Sequence, residues 1–261
     1  VTFVIRELHD PDDVVAVEDL QLAAWGRNER EVVPRGILIA IRLQGGLLAG
    51  SFEDDVMTGF VLGFPTADPT VQHSHMLAVH PAHRRSGAAL ALKAYQREWC
   101  LARGVTRVQW TFDPLRGLNA NFNLRKLGAT ISRYHANLYG EMSGINAGVA
   151  SDRALADWNL TSDRVAGALS GSLAEPDWAS AEAINATGPD AWRSDLTASR
   201  LRFCIPDDFG ALLQSDLERA RTWRQHGREV LTHYFERGYS VTGFGRQGGN
   251  AYLLTPRTPA P

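Results

Sequence analysis

The alternation of apolar and polar positions divides the chain into short strands and amphipathic helices. A first strand is predicted at Thr2–Glu7. Asp10 stands where a helix needs a cap, and Val14, Val15, Val17, Leu20, Ala23 and Ala24 recur at helical steps toward Trp25. Pro34 suits the first turn of a second helix, Arg35–Leu43, stopped by Gly45-Gly46. Leu47–Phe52 and Val56–Phe64 read as an antiparallel pair turning at Glu53-Asp54-Asp55, and Gln72–Val79 as a strand ended by Pro81. Arg84–Arg103 reads as a helix with Leu92, Tyr95, Trp99 and Ala102 on one face and Gly104 at its end. Thr106–Phe112 alternates and is a strand. A short helix over Asn119–Lys126, closed by Gly128, leads to two further strands, Thr130–Tyr139 and Arg153–Leu160.

After Leu160 the pattern weakens. Residues 161–198 are rich in Ala, Ser, Asp and Gly, which predicts a short helix or two among irregular chain. Order returns with a strand at Ser199–Ile205 and a long helix capped by Asp216, on which Leu217, Ala220, Trp223, Val230, Leu231 and Tyr234 mark one face. Gly238 ends it, and strands Tyr239–Gly245 and Ala251–Leu254 close the chain around Arg246–Asn250. Helix, glycine and strand therefore follow one another twice, at Leu124–Tyr139 and at Phe235–Phe244. A degenerate second copy of a half-fold and the plain recurrence of a common motif both account for this.

Composition narrows the class. Hydrophobic residues make up 44% and charged residues 21%, as in a globular protein and unlike a disordered one. Against 29 acidic residues stand 27 basic ones, so a nucleic-acid partner, which calls for a cationic excess, is not expected. No apolar run approaches the ~20 residues of a membrane helix. The start, VTFVIRELHDPDD, has neither the basic region nor the apolar core of a signal peptide and no initiating Met, so a trimmed, cytoplasmic protein is expected. Cys100 and Cys204, far apart in apolar surroundings, are expected to be small buried hydrophobes. No His, Cys or Asp spacing resembles a metal site, and no nucleophile elbow occurs. Trp223-Arg224 is expected to pack and to be solvated on its helix.

The chemistry concentrates in His73–Gly128. A strand runs through Leu77-Ala78-Val79-His80-Pro81 into His83-Arg84-Arg85-Ser86-Gly87-Ala88-Ala89. Small residues at a helix start leave backbone N–H groups pointing outward, where the helix dipole favours an anion and Arg84 and Arg85 add charge. The Gly-Lys-Ser/Thr ending of a nucleotide-hydrolase loop and the three glycines of a dinucleotide fold are missing.

Strand, Leu77-x-Val79-x-Pro81, then Arg84-x-x-Gly87-x-Ala89 opening a helix resembles the pyrophosphate-binding signature of the GNAT superfamily of N-acyltransferases. The resemblance covers residues 1–160, an acyl-CoA-binding acyltransferase domain, and leaves 161–261 as a C-terminal α/β extension. It implies an α/β (α+β) fold: a mixed, mostly antiparallel, splayed sheet flanked by helices, with the extension admitting a degenerate half-GNAT repeat. The strings HSHM, WTFDPL, NANFNLRKLGA and NLYG, with the later IPDDF and GYSVTGF, look like a bacterial GNAT branch carrying such an extension. Some relatives of that branch are associated with N-succinylation of amino acids.

The resemblance implies acetyl-CoA or another acyl-CoA, succinyl-CoA included, as co-substrate, and a small-molecule primary amine as acceptor. It implies no metal, nucleic acid or membrane, and it admits a homodimer. The backbone of Leu77, Ala78 and Val79 would pair with the pantetheine amides, and Arg84, Arg85, Ser86, Gly87, Ala88 and Ala89 would hold the pyrophosphate. Asn119 would bond the pantetheine arm, a helix cap being the equal alternative. Where many relatives place a Glu base, this chain has His75, with His73 on the same face; either can accept the amine proton near neutrality. Where the family's acid Tyr stands, this chain has Leu124, which leaves Tyr139 and Tyr134 on the next strand as substitutes. Asp113 is either a second base or an Asx turn before Pro114. An acyltransferase acting on a protein or an antibiotic is an alternative within this class. A non-catalytic acyl-CoA-binding or regulatory protein is the alternative outside it.

Overall fold

The computed structural model describes residues 3–26, 32–141, 147–185, 188–246 and 248–257; Thr2 of the expected first strand and Gln247 of the expected last turn lie outside them. The chain forms two compact units, Val1–Trp110 with Asn159–Thr161, and Thr111–Trp158 with Ser162–Pro261.

In the first unit the elements are β1 (Val4–Glu7), α1 (Pro11–Trp25), α2 (Arg35–Leu43), β2 (Leu47–Glu53), β3 (Val56–Pro65), β4 (Val71–Val79), α3 (Ala88–Leu101) and the start of β5 (Arg107–Phe112). Asp10 caps α1 through its side chain, which accepts from the Asp12 N–H, and Pro11 opens the first turn. The strands follow one another in sheet order as in sequence, antiparallel except for β4 and β5, which run parallel. The expected β2–β3 turn is tight: Asp54 and Asp55 both hold positive φ, 47° and 64°, the conformation a two-residue hairpin favours. Leu8, Val14, Val17, Leu20, Leu38, Leu48, Phe52, Phe60, Leu62 and Ala78 form the core between α1, α2 and the sheet. Each large side chain so buried contributes about 1.5–3 kcal/mol.

The second unit contains α4 (Gly117–Asn121) running into a π-helical turn (Phe122–Lys126), then β6 (Thr130–His135), β7 (Arg153–Asn159) and α5 (Asp163–Ser170). There follow β8 (Glu182–Ala183), β9 (Leu201–Cys204), α6 (Phe209–Ser215), α7 (Leu217–Glu236), β10 (Tyr239–Gly245) and β11 (Ala251–Pro256). Its strands lie in the order β7-β6-β10-β11-β9-β8. Trp158, Tyr234, Tyr252, Phe203 and Phe244 are fully buried in it.

The succession of helix, glycine and antiparallel strand pair occurs twice in this unit. The π-helical turn, Gly128, β6 and β7 form the first copy; α7, Gly238, β10 and β11 form the second. The pairing register shifts between Ile131 and Arg133 in one and between Val241 and Gly243 in the other, at matching distances from the two glycines. The copies meet antiparallel at the Ile131–Val241 pair. The parallel β8–β9 pair also repeats the relation of β4 to β5.

Three expectations need correction. The helix expected from Arg84 begins only at Ala88, because Arg85 and Gly87 hold positive φ that no helix accommodates. The strand expected to reach Tyr139 ends at His135, and the chain turns through Ala136–Tyr139. Phe209–Ser215, capped by Asp208, is a helix that the periodicity did not show.

Candidate functional site

β4 is the element on which the site is built. On one side it pairs with β3 along its length, but the register skips His75: Ser74 faces Gly63 while Met76 faces Leu62. This is a β-bulge, which breaks the alternation of faces and re-aims the side chains around it. On the other side its ladder with β5 covers only Val71, Gln72 and His73, paired with Arg107, Val108 and Gln109. From Ser74 onward the β5-side backbone edge of β4 is released from that ladder. An edge of this kind can take an extended ligand as it would take a strand.

The bulge gathers His73 and His75 against Phe64. The imidazole rings lie 5.9 Å apart between centroids, and Phe64 is 5.0 Å from His73 and 5.7 Å from His75. Desolvation holds both imidazoles below their ordinary value of 6.5, with the charge of His75 adding to the effect at His73. Both are therefore neutral near pH 7 and able to accept a proton. Trp25, at the end of α1, stands edge-on to Phe60 at 6.2 Å and remains half exposed.

Following β4, the chain makes a 3-10 turn at Pro81–His83, held by the His80 ring, which accepts from the Ala82 N–H. His83 lies 3.2 Å from Glu53. Arg84 is extended and its guanidinium donates to the Ala24 carbonyl. Arg85 and Gly87 then take φ of 70° and 97°. Alternating hands in successive residues are the backbone pattern of an anion-binding nest, which here lies in front of α3 with the Ser86 N–H donating to the His83 carbonyl. A Cβ placed on Gly87 would meet nothing within 4 Å, so the space before the helix is open. The helix N-cap has no side-chain bond of its own, while Ser86 Oγ accepts from the Ala88 N–H. Arg84 and Arg85 are exposed, Ser86 and Ala89 partly so, and Ala88 is buried. Leu77, Ala78 and Val79 lie in line between bulge and nest, with Ala78 turned into the core. Open backbone edge and anion nest together fit a phosphate-bearing, amide-containing chain such as that of coenzyme A.

The remaining candidates lie in the second unit. Tyr139 sits on the turn after β6, half exposed, its hydroxyl 3.1 Å from Thr111 Oγ1 and its ring 5.2 Å from the Arg153 guanidinium. Tyr134 donates to Asp152 at 2.7 Å, and burial beside that carboxylate raises its pKa well above the ordinary range. Its hydroxyl proton is thus committed to Asp152. Leu124 is fully buried. Asp113 does make the Asx turn, accepting from the Leu115 N–H at 2.9 Å, but it is also buried against Arg224 with two bonds of 2.8 and 2.6 Å. A carboxylate so held is part of a buried ion pair. Arg224 is accordingly buried, not solvated as expected. Asn119 is exposed and is the third residue of α4, whose cap is Arg116, so the cap alternative falls. The Cys100 thiol is buried and pushed up to about 12, and burial raises the partly buried Cys204 as well. Among the described residues no group of His, Cys, Asp and Glu could hold a metal ion, and no helix is long and apolar enough to cross a membrane.

Sequence reasoning missed Lys93. It is fully buried, with Ser74, Gln96 and Trp110 around its amine. Its signal was present: Lys93 and Gln96 occupy inward positions of α3 together with Leu92, Trp99 and Cys100.

Residues 7–128 match the model of the acetyltransferase (GNAT) family. Among curated proteins none matches the chain. Solved structures share its fold at low identity. A Desulfovibrio desulfuricans protein described as an acetyltransferase of the GNAT family is 19% identical, with 61% of this chain and 100% of that one covered at a TM-score of 0.52. The ribosomal-protein-S18-alanine N-acetyltransferase of Escherichia coli is 15% identical over 62% of this chain and 96% of its own, at 0.51. A Salmonella typhimurium protein, solved with its cofactor acetyl-CoA, is 17% identical over 60% and 94%, at 0.50.

Proposed function

Because the chain is a member of the GNAT superfamily, we propose that it is an acyl-CoA-dependent N-acyltransferase acting on the primary amine of a small molecule. The observation that carries this reading is the continuity of three features on one segment. The histidine bulge, the open edge of β4 and the Arg85–Gly87 nest follow one another within His73–Ala89.

Backbone N–H groups from Arg85 to Ala89 would hold the pyrophosphate, and the β4 edge at Leu77–Val79 would take the pantetheine amides. Bound there, an acyl-CoA supplies an activated thioester carbonyl and a readily departing thiolate. The chain's own work is to deprotonate and aim the amine. A ring nitrogen of His75 or His73, neutral through desolvation, accepts the proton. Phe64 packs beside both rings and keeps water from one side of them. Acetyl and succinyl groups are the donors to test first, and amino acids the first acceptors.

A second reading is favoured by a specific observation. Leu124 is buried where the family's acid stands, and the Tyr134 hydroxyl is bonded to Asp152. A non-catalytic acyl-CoA-binding protein would need no acid. Release of free CoA thiol from acetyl-, succinyl- and longer acyl-CoAs, against amino acids and polyamines, separates the two. Turnover with one donor–acceptor class is the expected result. Silence across the panel with CoA still bound would establish the binding-protein reading, and silence with no binding would overturn the cofactor assignment as well.

A further inference from the structure

On the face of β4 toward α3 lies a buried polar network. Lys93 Nζ donates to Gln96 Oε1 at 2.6 Å and to Ser74 Oγ at 3.3 Å. Ser74 Oγ donates in turn to Gln96 Oε1, and Gln96 Nε2 donates to Gln72 Oε1 at 2.6 Å. The lysine amine also lies 4.0 Å from the centre of the Trp110 ring. Lys93, Ser74, Gln96 and Gln72 are all buried. The network lies close against the backbone of β3: a Cβ on Gly63 would sit 2.4 Å from Gln72 Oε1 and 3.1 Å from Gln96 Nε2, so a side chain there would displace the two glutamine amides.

A fully buried lysine is expensive to desolvate, and burial lowers its pKa to about 7. That cost is offset only in part by the bonds to Gln96 and Ser74. The network is moreover placed at one point of the strand. Gln72 and Ser74 bracket His73, and Ser74 is the last residue in register before the bulge at His75.

We infer that Lys93 is a positioning residue for the reacting strand: through Ser74 and Gln96 it fixes β4 where the bulge begins, and so sets the aim of His73 and His75. A one-residue change of register moves side chains to the other face, so a shift in the place of the bulge would re-aim the side chains on either side of it. Tying Ser74 to α3 by its side chain, beside a glycine that only this network fills, holds the bulge in one place. The inference rests on the histidine pair being the base of the proposed reaction.

Lys93→Met keeps the length and the packing on Trp110 and removes the donor. The expected result is a kcat reduced on the order of ten-fold, the loss that slight misalignment of a reacting group brings. KM for acyl-CoA should stay within about two-fold and Tm should not fall. The NMR titrations of His73 and His75 should shift in the same variant, a change that a merely structural lysine would not produce. Ser74→Ala should add little in the Lys93→Met background if Lys93 acts through Ser74. Wild-type kcat with unchanged histidine titrations overturns the inference, as does a kcat loss that follows a fall in Tm, or full additivity with Ser74→Ala. Should the wild-type protein turn over no substrate, the titrations still decide: shifted histidines uphold the positioning and leave only the proposed function at fault, and unshifted ones sink the positioning itself.

Discussion

His75 has two properties that its position in the sequence does not confer on a strand residue. It is passed over by the β3–β4 register, and its imidazole is held below the ordinary value by desolvation. A base of this kind works when neutral, so activity should fall only on the acid side. Because the folded pKa is lowered, the acid limb of kcat/KM should have its midpoint below about 6.5 and be flat through neutrality. His73 and His75 are neighbours, and the midpoint belongs to the pair. Replacing the true base by Ala should cost about 10²–10⁴ in kcat and leave CoA affinity almost unchanged. A midpoint above 7, or full activity in the double His73→Ala/His75→Ala variant, would remove both from the chemistry. It was the family resemblance that pointed to these two histidines, which stand where many relatives place a Glu base. Asp113 was legible only in part. The sequence showed its Asx turn, but its partner Arg224 lies 111 positions away, and no local pattern links the two.

At the level of elements, α3 shows what periodicity can and cannot settle. Leu92, Trp99 and the following glycine announced the helix, yet its start was placed at Arg84, four residues early. Positive φ at Arg85 and Gly87 carries no hydrophobic signature, and it is this unwound stretch that makes the anion nest. Gly87→Ala isolates its contribution. The added methyl has open space, so the whole cost is the left-handed backbone, about 1–2 kcal/mol. Each kcal/mol of that cost that falls on the nest weakens CoA binding roughly five-fold. Calorimetry should therefore show a weaker Kd for CoA while kcat at saturating acyl-CoA holds near wild type. An unchanged Kd would mean that the phosphates bind elsewhere. The bulge in β4 was equally silent in the sequence, because a skipped pairing depends on the neighbouring strand and not on composition.

Across the whole molecule, the question is whether the repeated succession of elements also repeats the site. The echo between Gly128 and Gly238 was visible in the sequence; the matching register shifts and the Ile131–Val241 pair became visible only with the strands paired. In the first unit, β4 leaves β5 after His73, and the chain between them builds the nest and α3. In the second, β8 and β9 pair only at Glu182–Ala183, but Asn185 then closes the gap with its own side chain. Its amide donates to the Cys204 carbonyl at 3.0 Å and accepts from the Cys204 N–H at 2.8 Å, filling the space beside β9 that a ligand would need. Between β8 and β9 the described residues form no helix whose N-terminus could receive a phosphate. If the chain binds acyl-CoA as proposed, titration calorimetry should give a stoichiometry of one, with binding weakened by Gly87→Ala and untouched by Asn185→Ala. That variant should lose about 1–3 kcal/mol of stability, because the Cys204 N–H and carbonyl, the Gly188 carbonyl and the His226 ring all lose this partner. A stoichiometry of two would show that the second copy kept a cradle that its backbone gives no sign of.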